Sequence, residues 1–272
     1  MLTRSTVDHM FGKNIRMERI IDRNSGRAVI VPMDHGISVG PIPGLVDMKA
    51  TMGKISEGGA TSVVLHKGMV PFGHRAFGRD IGLTVHLSAG TGINPDPNVK
   101  VIVTEVEEAI KLGADAVSIH INLGAETEEK MIEDAGRVSA KCRDWGMPLL
   151  TMIYPRGEEI TDPFDPDLLK QCARVAAELG ADLVKTSYTG EIDTFREVVR
   201  GAQIPVVIAG GPQMDSDHEL LQMVYDSIQA GGSGVSIGRN IFQHKDVTGI
   251  TKAISNIVLH DADVEEAMKI LE

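Results

Sequence analysis

Residues 180–187 read GADLVKTS, and this stretch carries the pattern from which the fold is predicted. A glycine suited to ending a helix is followed by Ala-Asp and then by a short apolar run that reaches Lys185. Gly-Ala-Asp occurs again at 113–115, while Gly-Gly-Ala at 58–60 and Gly-Gly-Ser at 231–233 precede two further apolar runs. The recurrence indicates one strand-and-helix unit that the chain uses several times.

Short β-rich runs recur along the whole chain. Eight are recognised, at residues 28–33, 62–65, 83–87, 116–121, 149–153, 182–185, 205–209 and 234–237. Most are apolar without clear alternation, as expected of parallel strands covered on both faces. Helical patterns lie between them, for example at 104–112, 165–179 and 217–229, and Thr104 and Glu107 have the spacing of a capping box.

Strict alternation of eight strands with helices predicts an α/β fold, a closed (β/α)8 TIM barrel. An open doubly wound sheet is disfavoured because no GxGxxG follows the first strand. Residues 1 to about 25 are expected to form an N-terminal helix that covers the barrel floor or an interface. We expect residues 1–272 to form a single domain.

Composition narrows the classes of function. The 272 residues carry a formal net charge of -11, which argues against a nucleic-acid partner, because such a protein needs a basic face. No apolar run approaches the roughly 18 to 20 residues of a membrane span, and no secretory signal is recognised. Cys142 and Cys172 have no CxxC partner, so both are expected to be reduced and at least half-buried in the cytoplasm.

Polar residues fall at the carboxyl ends of the predicted strands, which is where barrel enzymes place their chemistry. They are Asp34-His35, His66-Lys67, His86, His120, Tyr154-Pro155-Arg156, Lys185, Gly210-Gly211 and Gly238-Arg239. This clustering at one face is more informative than any one of the residues. It predicts a catalytic or binding site at the barrel mouth.

Lys185 is embedded in an apolar strand, so an inward-facing amine would lose hydration and its pKa would fall. Such an amine suits nucleophilic catalysis. The alternative is an amine that reaches solvent or pairs with a carboxylate. Asp34 is either a proton shuttle or a turn residue, Tyr154 a phenol donor or a rim aromatic, and Arg156 an anion clamp or a surface charge.

Gly210-Gly211 and Gly238-Arg239 end the seventh and eighth predicted strands. Barrels commonly bind phosphate there, through loop N–H groups and the start of a short helix. Arg239 adds a bidentate donor for such an anion. The glycine pairs are otherwise simple tight turns, but the two expected places are both filled, which favours a phosphate site.

Five segments together resemble the archaeal-type class I aldolase family, in family order and over nearly the whole chain. They are residues 31–36 (VPMDHG), 154–157 (YPRG), 184–190 (VKTSYTG), 209–212 (AGGP) and 238–243 (GRNIFQ). The resemblance implies a Schiff-base lysine at Lys185, a proton acceptor at Asp34 and a proton donor at Tyr154, with no diffusible cofactor and no metal. The substrate contacts that it implies are Asp34, His35, Gly36, Ile37, Ser38, Tyr154, Pro155, Arg156, Lys185, Gly210, Gly211, Gly238 and Arg239.

The first loop distinguishes branches of that family. Its fructose-bisphosphate aldolases usually read DHGIEHGP, whereas residues 34–41 read DHGISVGP. The Ser version is similar to the branch that joins a fragment of 6-deoxy-5-ketofructose 1-phosphate to L-aspartate semialdehyde. Its product is 2-amino-3,7-dideoxy-D-threo-hept-6-ulosonate, on the archaeal route to 3-dehydroquinate and aromatic amino acids. The resemblance also implies a homo-oligomer, often a decameric ring.

Three alternatives remain open. His66, His86 and His120 lie at or near three strand ends and could hold a catalytic Zn²⁺ in a metal-dependent aldolase, but that mechanism leaves Lys185 without a role. A phosphosugar sensor without catalytic activity would keep the pocket. A class I fructose-bisphosphate aldolase would keep the chemistry and change the substrate.

Overall fold

A computed structural model of the chain describes residues 4–73 and 81–272. Its strands are β1 (Ala28–Pro32), β2 (Ser62–Leu65), β3 (Gly82–His86), β4 (Ser88–Ala89), β5 (Val101–Ile102), β6 (Ala116–Leu123), β7 (Leu149–Pro155), β8 (Leu183–Thr186), β9 (Val206–Ala209) and β10 (Gly234–Ser236). Eight of them, all but β4 and β5, pair in parallel and close into a barrel. The predicted (β/α)8 barrel is therefore confirmed.

Helices follow the barrel strands around the outside. They are α1 (Arg4–Met17), α2 (Gly36–Val39), α3 (Met48–Glu57), α4 (Val70–Gly73), α5 (Val106–Lys111), α6 (Glu128–Asp144), α7 (Pro166–Glu178), α8 (Ile192–Ala202), α9 (Asp217–Gln229), α10 (Arg239–Phe242), α11 (Val247–His260) and α12 (Val264–Met268), with a 3-10 turn at Lys67–Met69. No described helix has the length and apolar character that crossing a bilayer requires. The single-domain organisation of residues 1–272 stays a prediction.

Local signals at the helix ends were informative, with one exception. Asp165 caps α7 by accepting from the N–H of Asp167 and Leu168, with Pro166 in the first turn. The capping box predicted at Thr104 and Glu107 is wrong. Helix α5 begins one residue later than that box requires, Glu105 occupies the N-cap without a side-chain bond, and the Thr104 hydroxyl is buried without a hydrogen-bond partner.

The barrel interior has an apolar lower layer and a polar upper one. Ile30, Val64 and Leu183 belong to one buried cluster inside the barrel. Lys185 lies two residues beyond Leu183 on the same strand, so its side chain is on the same inward face. In the sheet register it is level with Met152 of β7. The fold thus places the Lys185 amine above an apolar layer of side chains, at the carboxyl end of the barrel.

Helix α1 and the turn after it cover the amino end of the barrel, as predicted, but the helix ends at Met17 rather than at about residue 25. Residues 1–3 of the predicted helix lie outside the described residues. Lys13 forms an ion pair with Asp182 at 2.7 Å, just before β8. Arg19 pairs with Asp115 at 2.5 Å, just before β6. Ile20 then packs into the interior cluster. These contacts close the floor.

A small antiparallel sheet of β4 and β5, not predicted from the sequence, frames a segment at residues 88–102. This 88–102 segment lies over the barrel mouth and is bonded on two sides. Asn122 Nδ2 at the end of β6 donates to the Asn98 carbonyl at 2.8 Å, and the Gly92 N–H donates to the Ser38 carbonyl at 2.9 Å. The segment is therefore anchored both to β6 and to the loop that follows β1.

Candidate active site

A cavity of about 340 Å³ opens at the carboxyl ends of the barrel strands. Eleven of the predicted contact residues line this cavity. They are Asp34, His35, Ile37, Ser38, Tyr154, Arg156, Lys185, Gly210, Gly211, Gly238 and Arg239. Gly36 and Pro155 do not line it. Pro155 follows the inward-facing Tyr154 along β7 and so points to the other face of the sheet.

Lys185 is buried in this cavity, with 8% of the residue exposed. Burial lowers the pKa of its amine to about 8, and the charges of Arg156 and Arg239 act in the same direction, while Asp34 opposes them. At pH 7 about a tenth of such an amine is uncharged, far more than at the ordinary pKa. An amine that is both buried and partly neutral can act as a nucleophile at physiological pH.

Asp34 follows β1 and is surrounded by bases. Its Oδ1 lies 3.6 Å from His35 Nδ1, and its Oδ2 lies 3.8 Å from His86 Nε2. Burial alone would raise the pKa of Asp34, but His86, His35 and Lys185 outweigh that effect and lower the pKa to about 2. Asp34 is therefore ionised at neutral pH and can accept a proton from a substrate hydroxyl.

Tyr154, at the end of β7, contacts two neighbouring groups. The guanidinium carbon of Arg156 lies 4.7 Å from the Tyr154 ring centre, and the ring of His120 lies 5.3 Å away. Burial raises the pKa of the phenol, although the nearby Arg156 opposes it. The phenol is therefore protonated at neutral pH and can donate a proton or a hydrogen bond.

The loops after β9 and β10 are joined to each other. Arg239 Nη2 donates to the Gly211 carbonyl at 2.9 Å, and Asn240 Nδ2 donates to the Gly210 carbonyl at 2.9 Å. The two predicted glycine-containing stretches therefore meet at one side of the cavity. Together they place a guanidinium beside exposed backbone, which is an arrangement suited to an anion.

The three histidines of the metal alternative have other partners. His86 Nδ1 is 2.8 Å from the Ser118 hydroxyl, and His120 Nε2 is 2.8 Å from the Asn122 amide oxygen. His66 packs edge-on against His86, with ring centres 5.3 Å apart. Within residues 4–73 and 81–272, no group of three His, Cys, Asp or Glu side chains is arranged to hold a metal ion. Burial lowers the pKa of His86 to about 4.

Several lining residues were not among the predicted contacts. They are Val39, His66, His86, Ser88, Gly90, Thr91, Gly92, Pro97, Lys100, His120, Met152, Ser187, Ala209 and Ser236. From the sequence, His66, His86 and His120 are predicted only as ligands of the alternative metal site, not as substrate contacts. The 88–102 segment contributes Lys100, whose proximity to the site depends on distant hydrogen bonds. The one local signal was the turn-rich run NPDPN at 94–98 between two short apolar runs.

The chain is similar to aldolases in sequence. Residues 28–244 match the DeoC/LacD family of aldolases. A 2-amino-3,7-dideoxy-D-threo-hept-6-ulosonate synthase of Archaeoglobus fulgidus is 44% identical over 262 residues, which cover 96% of each chain. A 2-amino-4,5-dihydroxy-6-oxo-7-(phosphonooxy)heptanoate synthase of Streptomyces griseus is 39% identical, over 91% of this chain and 90% of that protein.

The fold is similar to those of solved aldolases. A Schiff-base-forming fructose-1,6-bisphosphate aldolase superposes with a TM-score of 0.84 at 30% identity, over 90% of this chain and 99% of that one. An archaeal fructose 1,6-bisphosphate aldolase gives the same TM-score at 31% identity, over 91% of this chain and 99% of that one.

Proposed function

The chain belongs to the DeoC/LacD family of aldolases and is a class I aldolase, and we propose from this that Lys185 is its Schiff-base lysine, Asp34 its proton acceptor and Tyr154 its proton donor. The reaction we propose joins a fragment of 6-deoxy-5-ketofructose 1-phosphate to L-aspartate semialdehyde. Its product is 2-amino-3,7-dideoxy-D-threo-hept-6-ulosonate, an intermediate on the archaeal route to 3-dehydroquinate and aromatic amino acids.

One observation carries the proposal: a buried lysine with a pKa near 8 shares a cavity with an ionised carboxylate and a protonated phenol. Keeping an amine in this state costs stability, because burial disfavours its charged form. A phosphosugar sensor would gain nothing from that cost. A metal-dependent aldolase would leave Lys185 idle.

In the first half of the reaction, the neutral Lys185 amine attacks the keto carbon of the donor and water leaves to give an iminium. Asp34 takes the proton of the hydroxyl on the carbon two positions away. The bond between that carbon and the carbon next to the iminium then breaks, and its electron pair moves toward the iminium nitrogen and forms an enamine. A three-carbon aldehyde phosphate departs.

In the second half, the enamine carbon attacks the aldehyde carbon of the acceptor. The new alkoxide takes a proton, which Tyr154 is placed to supply, and the iminium forms again. Water then attacks the iminium and releases the ketone product with the free Lys185 amine. The proton that Asp34 accepted returns through solvent to the Tyr154 phenolate, so both groups are restored and no oxidant or reductant is needed.

The site that we propose for the phosphate of the ketose lies where a guanidinium and two glycine-rich turns meet. Its residues are Gly210, Gly211, Gly238 and Arg239. His35, Ile37 and Ser38 line the wall next to Asp34. Arg156, stacked on Tyr154, adds a second positive charge. No part of this mechanism requires a cofactor.

The names of two relatives support L-aspartate semialdehyde as the acceptor. The names of both synthases describe seven-carbon acids with a 2-amino group, which an amino-acid aldehyde would supply. Ser38 is a second support, because fructose-bisphosphate aldolases of the resembling family usually have Glu at this place. Fructose 1,6-bisphosphate remains the competing substrate, since both of the solved aldolases described above are named for it.

The test uses borohydride, which reduces an iminium to a stable secondary amine. Incubation with the 5-ketose phosphate and borohydride should give an adduct whose mass, after digestion, maps to Lys185. Without borohydride, adding L-aspartate semialdehyde should release the seven-carbon product. Rapid cleavage of fructose 1,6-bisphosphate without turnover of the semialdehyde would instead identify a fructose-bisphosphate aldolase. Full loss of activity with a chelator would support the metal alternative.

A homo-oligomer, with the decamer that the resemblance implies, and a cytoplasmic location both stay predictions. Light scattering on the purified protein would give the oligomer mass.

A further inference from the structure

We infer that Lys100, together with Arg156, forms a second anion site in the cavity that binds the carboxylate of the acceptor aldehyde and so selects an amino-acid aldehyde over an uncharged one. This inference rests on the proposed function and adds a residue that sets acceptor specificity. It concerns a different part of the cavity from the loops of Gly210 and Arg239.

The positive charges of the cavity form two groups. Arg239 influences the pKa of His35 beside β1, whereas Arg156 and Lys100 both influence that of His120 on β6. The charge of Arg156 also lowers the pKa of Lys100. Around the barrel, Arg239 begins the helix after β10, while Arg156 follows β7 and Lys100 lies in the 88–102 segment next to β6. The two groups therefore lie on different sides of the mouth.

Lys100 is held in place by backbone carbonyls rather than by a contact ion pair. Its Nζ donates to the carbonyls of Pro97 at 2.6 Å and Val99 at 3.1 Å. Within the described part of the chain, no carboxylate oxygen lies within 4.0 Å of that amine. An ammonium has three N–H donors, so one donor remains for a ligand. The side chain is half-buried, and burial together with Arg156 lowers its pKa, although the more distant charge of Asp96 opposes them.

The segment is shaped around this side chain. A Cβ on Gly90 would lie 2.9 Å from Lys100 Nζ and 2.4 Å from the Val99 carbonyl oxygen, so only glycine leaves room there. Among the described lining residues, Asp34 is the one carboxylate, against Lys100, Lys185, Arg156 and Arg239. In a chain with a net charge of -11, this local excess of positive charge points to an anionic ligand.

The chemistry needs an anion site on the acceptor side. The aldehyde that departs and the aldehyde that arrives use the same carbon of the enamine, so they occupy the same side of the cavity in turn. The aldehyde that departs carries the phosphate, for which the loops of Gly210 and Arg239 are the proposed site. The aldehyde that arrives carries a carboxylate instead, and a separate cation pair can bind it.

Acceptor kinetics test the assignment. In a two-step transfer, kcat/KM for the acceptor reports only on the step that follows the enamine, so donor binding does not enter. Lys100→Met should lower kcat/KM for L-aspartate semialdehyde about 10- to 100-fold, the worth of a charge-assisted hydrogen bond. For the methyl ester of the same aldehyde, in which the carboxylate charge is gone, the loss should stay below about threefold.

Two further variants separate charge from folding. Lys100→Gln keeps a donor for the Pro97 carbonyl but not the charge, and should lose as much as Lys100→Met, while Lys100→Arg should recover most of the activity. The matched control is Lys67→Met. Lys67 also donates to a backbone carbonyl, that of Val103 at 2.8 Å, and pairs with Glu108, but it does not line the cavity. Its removal should leave acceptor selectivity unchanged.

The outcomes are distinguishable. If the wild-type protein forms no borohydride adduct, the proposed function itself is wrong. If the adduct forms and both neutral Lys100 variants keep kcat/KM for L-aspartate semialdehyde, or lose the ester equally, only the assignment of Lys100 is overturned. A wild-type enzyme with a lower kcat/KM for the ester than for the semialdehyde, combined with loss of the semialdehyde activity alone in both variants, supports it.

Discussion

The floor and the mouth of the barrel both concentrate charged side chains, but they use them differently. At the floor, Asp115 accepts from the Leu83 N–H at 2.9 Å and pairs with Arg19. Asp182 likewise accepts from the Leu149 N–H at 2.9 Å and pairs with Lys13. Each carboxylate is shared by a cation and a strand, so its hydrogen-bonding capacity is used in holding the fold.

At the mouth, the charges are close to one another but incompletely paired. His35 Nδ1 is buried without a hydrogen bond, and it stands 3.6 Å from Asp34. Lys185 has no carboxylate oxygen within 4.0 Å in the described part of the chain. Buried groups without hydrogen-bond or ion-pair partners lower the stability of the fold unless a substrate supplies those partners. In this barrel, the fully paired charges at the amino end stabilise the fold, whereas the buried and incompletely paired charges at the mouth are available to a substrate.

The largest expected effect comes from Lys185→Met, which keeps the length of the side chain and removes the amine. We expect turnover to fall by at least ~10³-fold, because the variant lacks the amine that is proposed to form the iminium. The melting temperature should stay the same or rise. Burying the ammonium costs the wild type roughly 3 kcal/mol at pH below about 8, a cost that disappears as the pH rises toward the unfolded-state value.

Activity assays and calorimetry on this variant provide the measurement. A melting temperature that drops by several degrees would mean that Lys185 belongs with the structural charges of the floor. Lys185→Arg, which keeps the positive charge but cannot form an iminium, is the matched control and should be equally inactive.

The second effect is a pH dependence of adduct formation. Only the neutral amine attacks, so the rate should rise about tenfold per pH unit below 8 and level off above it. Single-turnover trapping between pH 6 and 9.5 would measure this. Asp34 raises the pKa of Lys185, so in Asp34→Asn the plateau should begin at a lower pH. A rate that does not change with pH would contradict a titrating amine.

The smallest effect on activity is expected at the floor. Asp115→Ala leaves the Leu83 N–H without the carboxylate that it now donates to and removes one ion-pair partner of Arg19, and should lower the free energy of unfolding by about 1–3 kcal/mol. At 25 °C kcat/KM should stay within about twofold, because the charges at the mouth are untouched. Thermal unfolding and initial rates test this, with the exposed Asp144→Ala as control. A larger loss of activity than of stability would show that the two ends are coupled.

The barrel was predictable because its signals are local and repeated. Each strand is a short apolar run, and Gly113 and Gly180, with φ values of 83° and 91°, end the preceding helices as their sequence context predicts. Lys185 was found for the same reason, as one polar residue in an apolar run. Thr104 misled because capping spacing is a weak signal, and here the hydroxyl is buried behind a helix that begins later.

The 88–102 segment was not predictable, for a physical reason. Its two strands have two residues each, too few for a pattern. Its position is set by bonds to Ser38 and Asn122, which are far away in the sequence. Pro155 was placed in the site by resemblance, although strand alternation after Tyr154 already directs it outward.

The bond between Ser38 and the 88–102 segment has a consequence for how related enzymes diverge. The Ser38 hydroxyl donates to the Gly90 carbonyl at 3.0 Å, and Gly90 is the residue against which Lys100 packs. A glutamate at position 38, as in the bisphosphate-cleaving branch, could not donate to that carbonyl and would bring a negative charge toward the Lys100 ammonium. A single exchange on the loop after β1 would thus remove a hydrogen bond that positions the 88–102 segment and would also change the charge near Lys100. A change of substrate in this fold therefore need not alter any catalytic group.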